Sequence, residues 1–202
     1  MGYPMARTLV IATHNRKKFE EMAAILAGLP ADLRSLADFG TVPPVPETGE
    51  TLEDNARAKA LGYARATGQW ALADDSGLEV DALGGAPGVR SSRWGGEQGN
   101  DRRNNEALMK ALAGRPKDSW TARFRCVMAL ATPEKVLFVT EGVCEGRITD
   151  SPAGSNGFGY DPHFWLPELG RTMAQLPAEE KNRLSHRAKA LAAMKDRLEK
   201  LL

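Results

Sequence analysis

Long apolar runs are missing from this 202-residue chain, and so is any excess of charge. No stretch reaches the roughly 18 apolar residues that a membrane-spanning helix needs, so no membrane association is expected. The opening Met1-Gly2-Tyr3-Pro4-Met5-Ala6-Arg7 lacks the apolar core of a signal peptide and the Ser or Thr of a myristoylation signal. A cytoplasmic protein is the expectation. Lys and Arg number 27 against 26 Asp and Glu, for a net charge of +1. That balance argues against a duplex-DNA or RNA binder, and no nucleic-acid partner is expected. Cysteine is scarce. Cys126 and Cys144 have no second ligand at metal-site spacing and read as buried thiols in a reducing compartment.

What is present is an alternation of short apolar runs and amphipathic stretches. Thr8–Ala12 has the make-up of a strand buried on both faces. An amphipathic helix follows, with Phe19, Met22, Ala23 and Leu26 on one face and Gly28 as its stop. After a weak strand near Leu33 and a Pro-rich loop from Val42 to Gly49, a second helix opens on Thr51 with Asp54 three residues later, and closes near Gly68. Trp70–Ala73 is read as a strand ending at Asp74-Asp75-Ser76-Gly77, then a short strand and loop to Arg93, then a helix over Asn100–Leu112. Three strands are expected next, Ala122–Ala131, Val136–Thr140 and Val143–Ile148, with Pro133-Glu134-Lys135 turning the first into the second. One last helix should run from about Ala178, with Leu184, Ala188, Leu191, Met194 and Leu198 as its stripe. Helices and strands alternate early and strands cluster late, which predicts an α/β fold on a mixed sheet.

Four segments carry possible chemistry. Thr13-His14-Asn15-Arg16-Lys17-Lys18 joins a buried strand to a helix, with Asn15 as cap. Cations in a first turn run against the helix dipole, which suits an anionic ligand better than packing, although solvated lysines on a polar turn would look the same. The segment is too short for a Walker A loop and lacks that loop's glycines. Asp74-Asp75-Ser76 follows a buried strand, where ligands of α/β sheets bind, and paired carboxylates suit Mg²⁺ shared with phosphates. An Asx turn before Gly77 would use the same residues. Glu47 or Glu50 in the Pro-rich loop offers a further oxygen donor. In Ser155-Asn156-Gly157-Phe158-Gly159-Tyr160-Asp161, two glycines permit close backbone approach while Phe158 and Tyr160 offer faces for a flat base, or else plug the core. Lys181, Ser185, His186 and Arg187 fall within about two helical turns and can share a face toward an anionic or carbonyl-bearing ligand, or a solvated one.

Taken together, ATHNRKKFEE, PETGETLEDNARAKA, ALADDSGLEVDALGGAPGVRSSRW, PAGSNGFGYDPHF and AEEKNRLSHRAKAL resemble the inosine triphosphate pyrophosphatase family, in the family's order and from about Leu9 to Leu191. The resemblance implies one domain over 1–202, an elongated mixed sheet with flanking helices and two lobes around a nucleotide cleft, and residues 1–7 as a disordered extension. It implies a Mg²⁺-dependent homodimer that splits non-canonical purine triphosphates (ITP, dITP, XTP) into monophosphate and pyrophosphate. By the same resemblance, Thr13, His14, Asn15, Arg16, Lys17 and Lys18 hold the triphosphate, and Glu47 and Asp75 hold the metal. Asp75 also matches the proton acceptor, with Asp74 acting through a shared network as the alternative, and Ser76 matches a substrate contact. Phe158, Gly159, Tyr160 and Asp161 form the base pocket, and Lys181, His186 and Arg187 are further nucleotide contacts. One departure stands out: His14 and Lys17 take places where many members carry glycine, so the backbone at His14 must be ordinary or left-handed-tolerant. A pyrophosphatase for other damaged nucleotides, a non-catalytic nucleotide sensor and an RNA binder are the rival readings.

Overall fold

The computed structural model describes residues 7–202. Residues 1–6 of the expected extension lie outside the described residues, and Arg7 is already the first residue of a strand. That strand, β1 (Arg7–Ile11), is followed by α1 (Arg16–Leu26) and β2 (Ala31–Ser35), which pairs parallel with β1 from Arg7↔Ala31 to Ile11↔Ser35. Then come α2 (Leu52–Thr67), β3 (Trp70–Val80), α3 (Asp101–Leu112), β4 (Thr121–Ala131) and β5 (Val136–Ile148). Short strands β6 (Phe164–Leu166) and β7 (Arg171–Thr172) precede α4 (Ala178–Leu184) and α5 (His186–Leu198). The seven strands form one sheet in the order β2-β1-β3-β4-β5-β6-β7. β1 pairs parallel with β2 and β3, whereas β6 pairs antiparallel with β5 and β7. The sheet is mixed and the class is α/β, as the alternation of elements predicts.

The helix ends follow local chemistry. Asn15 caps α1, its side chain accepting from Lys18 N, and Thr51 with Asp54 forms a reciprocal capping box on α2. Gly68 closes α2 in the left-handed conformation that glycine tolerates best.

Three expectations need correction. β3 does not end before Asp74 but runs on through Asp74-Asp75-Ser76 to Val80, because a further strand, β4, lies beside it in the sheet. β5 is one strand of 13 residues rather than two; Glu141-Gly142 does not break it. The last helix is two. Ser185 adopts an extended ψ of 156°, ending α4, and α5 begins at the next residue; serine is a favoured residue at such a helix start. Leu184 is therefore off the buried stripe and 37% exposed, while Leu191, Met194 and Leu198 are fully covered.

The chain forms two compact units. The first comprises residues up to Asp75, Val127–Glu141 and Ala188–Leu202; the second comprises Ser76–Cys126 and Gly142–Arg187. In the first, Leu9, Val10 and Ile11 of β1, Met22 and Leu26 of α1, and Ala56 and Ala60 of α2 are buried. In the second, Leu78, Leu108, Phe124, Tyr160, Phe164 and Met173 pack into one core.

One close approach in the second unit is set by glycine. A Cβ on Gly77, two residues beyond Asp75, would collide with the Gly88 carbonyl and lie 3.2 Å from Ser91 Oγ. Ser91 Oγ fixes that geometry, accepting from Leu78 N at 2.9 Å and donating to Gly88 O at 2.6 Å. Gly77→Ala is therefore expected to destabilise the protein by about 1–3 kcal/mol, the usual cost of overpacking. Urea denaturation measures it, and an unchanged midpoint would show that the two backbones separate freely.

Candidate functional site

In the first unit the polar residues gather where the parallel strands end. β1 pairs with β3 only as far as Ile11↔Leu72, and Ala12 N donates to Leu72 O at 2.8 Å. Asp74 and Asp75 lie in β3 just beyond that point. They are interior to their own strand yet past the carboxyl end of its parallel partner, where ligands of such sheets bind. The two acids turn to different partners. Asp74 Oδ2 accepts from Lys18 Nζ at 2.9 Å, and Asp75 accepts from Lys59 Nζ at 2.8 Å and from Asn55 Nδ2 at 3.2 Å.

The Pro-rich loop is brought to Asp75 by α2. Asn55 Oδ1 accepts from Gly49 N at 2.8 Å, Lys59 Nζ donates to Glu47 Oε1 at 2.9 Å, and Tyr63 OH accepts from Val45 N at 3.3 Å. Helix positions four apart thus hold loop positions two apart, running in the opposite direction. The match is geometric: four helical residues rise about 6 Å, and two extended residues span nearly 7 Å. Asn55, Lys59 and Tyr63 are all buried, beside the alanine row Ala56, Ala60 and Ala64.

Lys59 is the hub. Burial opposes its charge, but the carboxylates of Asp75, Asp74 and Glu47 outweigh that and raise its pKa above the ordinary lysine value. Asp75 is shifted by the same burial. Desolvation raises its pKa above the usual carboxylate value, more than the Lys59 ammonium lowers it. Among the described residues no group of three or more His, Cys, Asp or Glu side chains could hold a metal ion. Glu47 and Asp75 nevertheless converge on one ammonium, and two hard carboxylates with phosphate oxygens completing the shell are what Mg²⁺ uses. The donor set fits that ion.

The first loop is ordered by its own side chains. Thr13 Oγ1 accepts from Asn15 N at 3.1 Å, and Asn15 Oδ1 from Lys18 N at 3.2 Å. His14 is exposed with its ring edge-on to Tyr63, centroids 5.8 Å apart. No non-glycine residue among those described has a positive φ, so the backbone at His14 is ordinary. Arg16 is turned along α1 to Glu20 at 2.8 Å, on the solvent side. Lys17 is exposed, and Ser76 is half-buried on β3.

In the second unit the glycine-rich loop closes on Asp161. Asp161 Oδ2 accepts from Lys181 Nζ at 2.8 Å and from Phe158 N at 3.0 Å. Both partners of the Asp161–Lys181 pair are 5% exposed. Gly157 is needed there: its φ is +76°, and a Cβ would strike the Asp161 carboxylate and lie 3.0 Å from Lys181 Nζ. The Phe158 ring faces two cations, Lys181 Nζ at 4.7 Å and Arg187 Cζ at 5.5 Å from its centroid.

Three sequence expectations change here. Tyr160 does not offer its ring to a base. It is 4% exposed within the core and its hydroxyl donates to Ser91 O at 2.7 Å. Burial, with the charge of Asp101, raises the phenol's pKa and keeps it protonated. His186 is likewise packed, stacked on Phe124 with centroids 4.9 Å apart at 18°. With α4 and α5 separated, Lys181 and Arg187 share no helical face; what brings them together is the Phe158 ring.

Sequence reasoning missed Asn55 and Lys59. Their signal was a row of polar residues, Asn55, Lys59 and Tyr63, four apart beside an alanine row on a helix with a buried face. Lys59→Met is expected to leave Glu47 and Asp75 without their ammonium and to cost roughly 3–5 kcal/mol, as removing one partner of a buried ion pair does. Chemical denaturation near neutral pH checks this, and a loss below about 1 kcal/mol would mean that the acids are already neutral or solvated.

The sequence profile of the Ham1 family matches residues 9–197. A dITP/XTP pyrophosphatase of Geobacter sulfurreducens is 52% identical over 190 residues, 94% of this chain and 96% of that protein. One from Geobacillus kaustophilus is 48% identical over 196 residues, 97% and 96% of the two chains. Among solved structures, a HAM1 protein from Coxiella burnetii superposes with a TM-score of 0.88 at 40% identity, covering 96% of this chain and 99% of that one. The Ham1 protein of Staphylococcus aureus gives 0.86 at 37%, with 97% and 100% covered. This chain is an enzyme, a hydrolase of the pyrophosphatase class, and it belongs to the Ham1 family.

Proposed function

We propose that this enzyme hydrolyses non-canonical purine nucleoside triphosphates (ITP, dITP and XTP) to the monophosphate and pyrophosphate, with Mg²⁺ as cofactor. The observation that carries the reading is the convergence of Glu47 and Asp75 on buried Lys59, beside the Lys18–Asp74 pair. The names of the relatives, dITP/XTP pyrophosphatases, support the substrate class.

Glu47 and Asp75 would hold the metal, which when bound neutralises charge on the phosphate oxygens. Asp75, or Asp74 through a shared network, would orient the attacking water and take its proton. Lys59 would hold Glu47 and Asp75 in place as that proton moves, and Lys18 would set Asp74 beside them. The segment Thr13 to Lys18 would take the phosphates, using the first amides of α1 and the nearby cations. Phe158, Gly159 and Asp161, with Lys181 and Arg187, would take the purine, with contacts from Tyr160 confined to its backbone. Because the Phe158 ring faces Lys181 and Arg187, truncating it would disturb both cations as well as base stacking. Selectivity would rest on donors that meet a 6-oxo group and are left unpaired by adenine's amino group. The same reading makes the protein a single nucleotide-hydrolysing domain, a cytoplasmic homodimer without nucleic-acid or membrane partners. No helix among the described residues is long and apolar enough to cross a membrane.

A panel of ITP, dITP, XTP and ATP, assayed with and without Mg²⁺, tests the proposal. Equal amounts of monophosphate and pyrophosphate are expected, only with Mg²⁺ and with the oxo-purines favoured. Release of orthophosphate with a diphosphate left behind would overturn it.

A further inference from the structure

In the second unit, the start of α3 reaches the glycine-rich loop with two side chains one helical turn apart. Asp101 Oδ2 accepts from Gly159 N at 2.8 Å, and Asn105 Nδ2 donates to Gly159 O at 2.9 Å. Both backbone polar groups of a single residue are thus held by a pair at i and i+4. Asn105 Nδ2 also donates to Asp101 O at 2.9 Å, which locks the pair together.

Gly159 needs such a hold. Its φ is +63°, and a Cβ built there would meet nothing within 4 Å, so glycine serves conformation at this position, not space. A left-handed glycine is the freest joint a chain can carry. On one side of it Tyr160 is anchored in the core; on the other, Phe158 is tied through its N–H to Asp161. Phe158 therefore lies between two fixed points, and one of them is supplied by α3.

The amide of Asn105 is costly to keep. Its Oδ1 is buried and accepts no hydrogen bond among the described residues. A buried acceptor left unmatched disfavours the fold, and an apolar residue of the same size would carry none. What the apolar residue would lose is the hold on Gly159. We propose that Asp101 and Asn105 are positioning residues for the base site: by gripping Gly159 they fix how Phe158 is presented to the purine. The inference rests on the proposed assignment of the 157–161 loop to the base.

The test compares Asn105→Leu, Asp101→Ala and Asp101→Asn with the wild-type enzyme. Four readouts apply: KM and kcat for ITP, binding of inorganic tripolyphosphate, thermal midpoint, and amide exchange at Gly159. Asn105→Leu and Asp101→Ala should each raise KM about tenfold with kcat changed less than about twofold, since ground-state placement is lost and the acid cluster is untouched. Tripolyphosphate, which has no base, should bind as before. The thermal midpoint of Asn105→Leu should hold or rise, because the unmatched acceptor is gone. Exchange at Gly159 should speed up in Asp101→Ala, and Asp101→Asn, which keeps an acceptor oxygen, should recover most of the KM. An unchanged KM with faster exchange would overturn the proposal, as would tripolyphosphate binding that weakens in parallel with KM. Wild-type turnover tests the parent reading separately: no hydrolysis of any oxo-purine triphosphate would overturn that reading, whereas an active wild type with silent variants overturns this inference alone.

Discussion

A single ammonium group organises the acidic site. Lys59 Nζ lies within hydrogen-bonding distance of Glu47 and Asp75, and its own charge is held by these two and by Asp74. Without it, the Glu47 and Asp75 carboxylates would face one another with no ammonium between them, and like charges repel. With it, two acids from distant parts of the chain occupy one site. Glu47 comes from an irregular loop and Asp75 from a strand, and neither could hold a common geometry unaided.

α2 gives that loop its precision. The extended chain from Val45 to Gly49 runs antiparallel to the helix, with bonds at every second loop residue and every fourth helix residue. Asn55 completes the arrangement by holding Gly49 with its oxygen and Asp75 with its nitrogen. A loop that carries a functional carboxylate thereby gains the order of a helix, which is how a site is held close to its working geometry. The second unit reaches a similar end by different means. Its glycine-rich loop is pinned by the Asp161–Lys181 pair, by Tyr160 in the core and by α3.

The parts legible in the sequence are those with local causes. The caps at Asn15, Thr51 and Gly68, the buried strand β1 and the helical spacing of α3 need only near neighbours to be read. The parts that were not legible depend on partners remote in sequence. β3 continues through two aspartates because another strand lies alongside, which no local pattern announces. The break at Ser185 looks like one turn of a continuous amphipathic helix until its ψ is known. Tyr160, in a loop that invites base stacking, belongs to the core. Glu47 and Asp75 were singled out as acids, but the lysine that joins them was not, since a lysine in a helix ordinarily faces water.

The role of Asp75 is tested most directly by the turnover of Asp75→Asn with ITP at saturating Mg²⁺, in protein shown by circular dichroism and thermal midpoint to be folded. Asn keeps the size of Asp75 and its amide oxygen can still accept from Lys59, but its NH2 cannot accept from Asn55, it cannot take a proton and it is a weaker metal ligand. A fall in kcat of about 10²-fold or more is expected, the range contributed by general-base catalysis. A folded variant that turns over ITP within about twofold of the wild-type kcat would contradict it, since so small a change corresponds to well under 1 kcal/mol in the barrier.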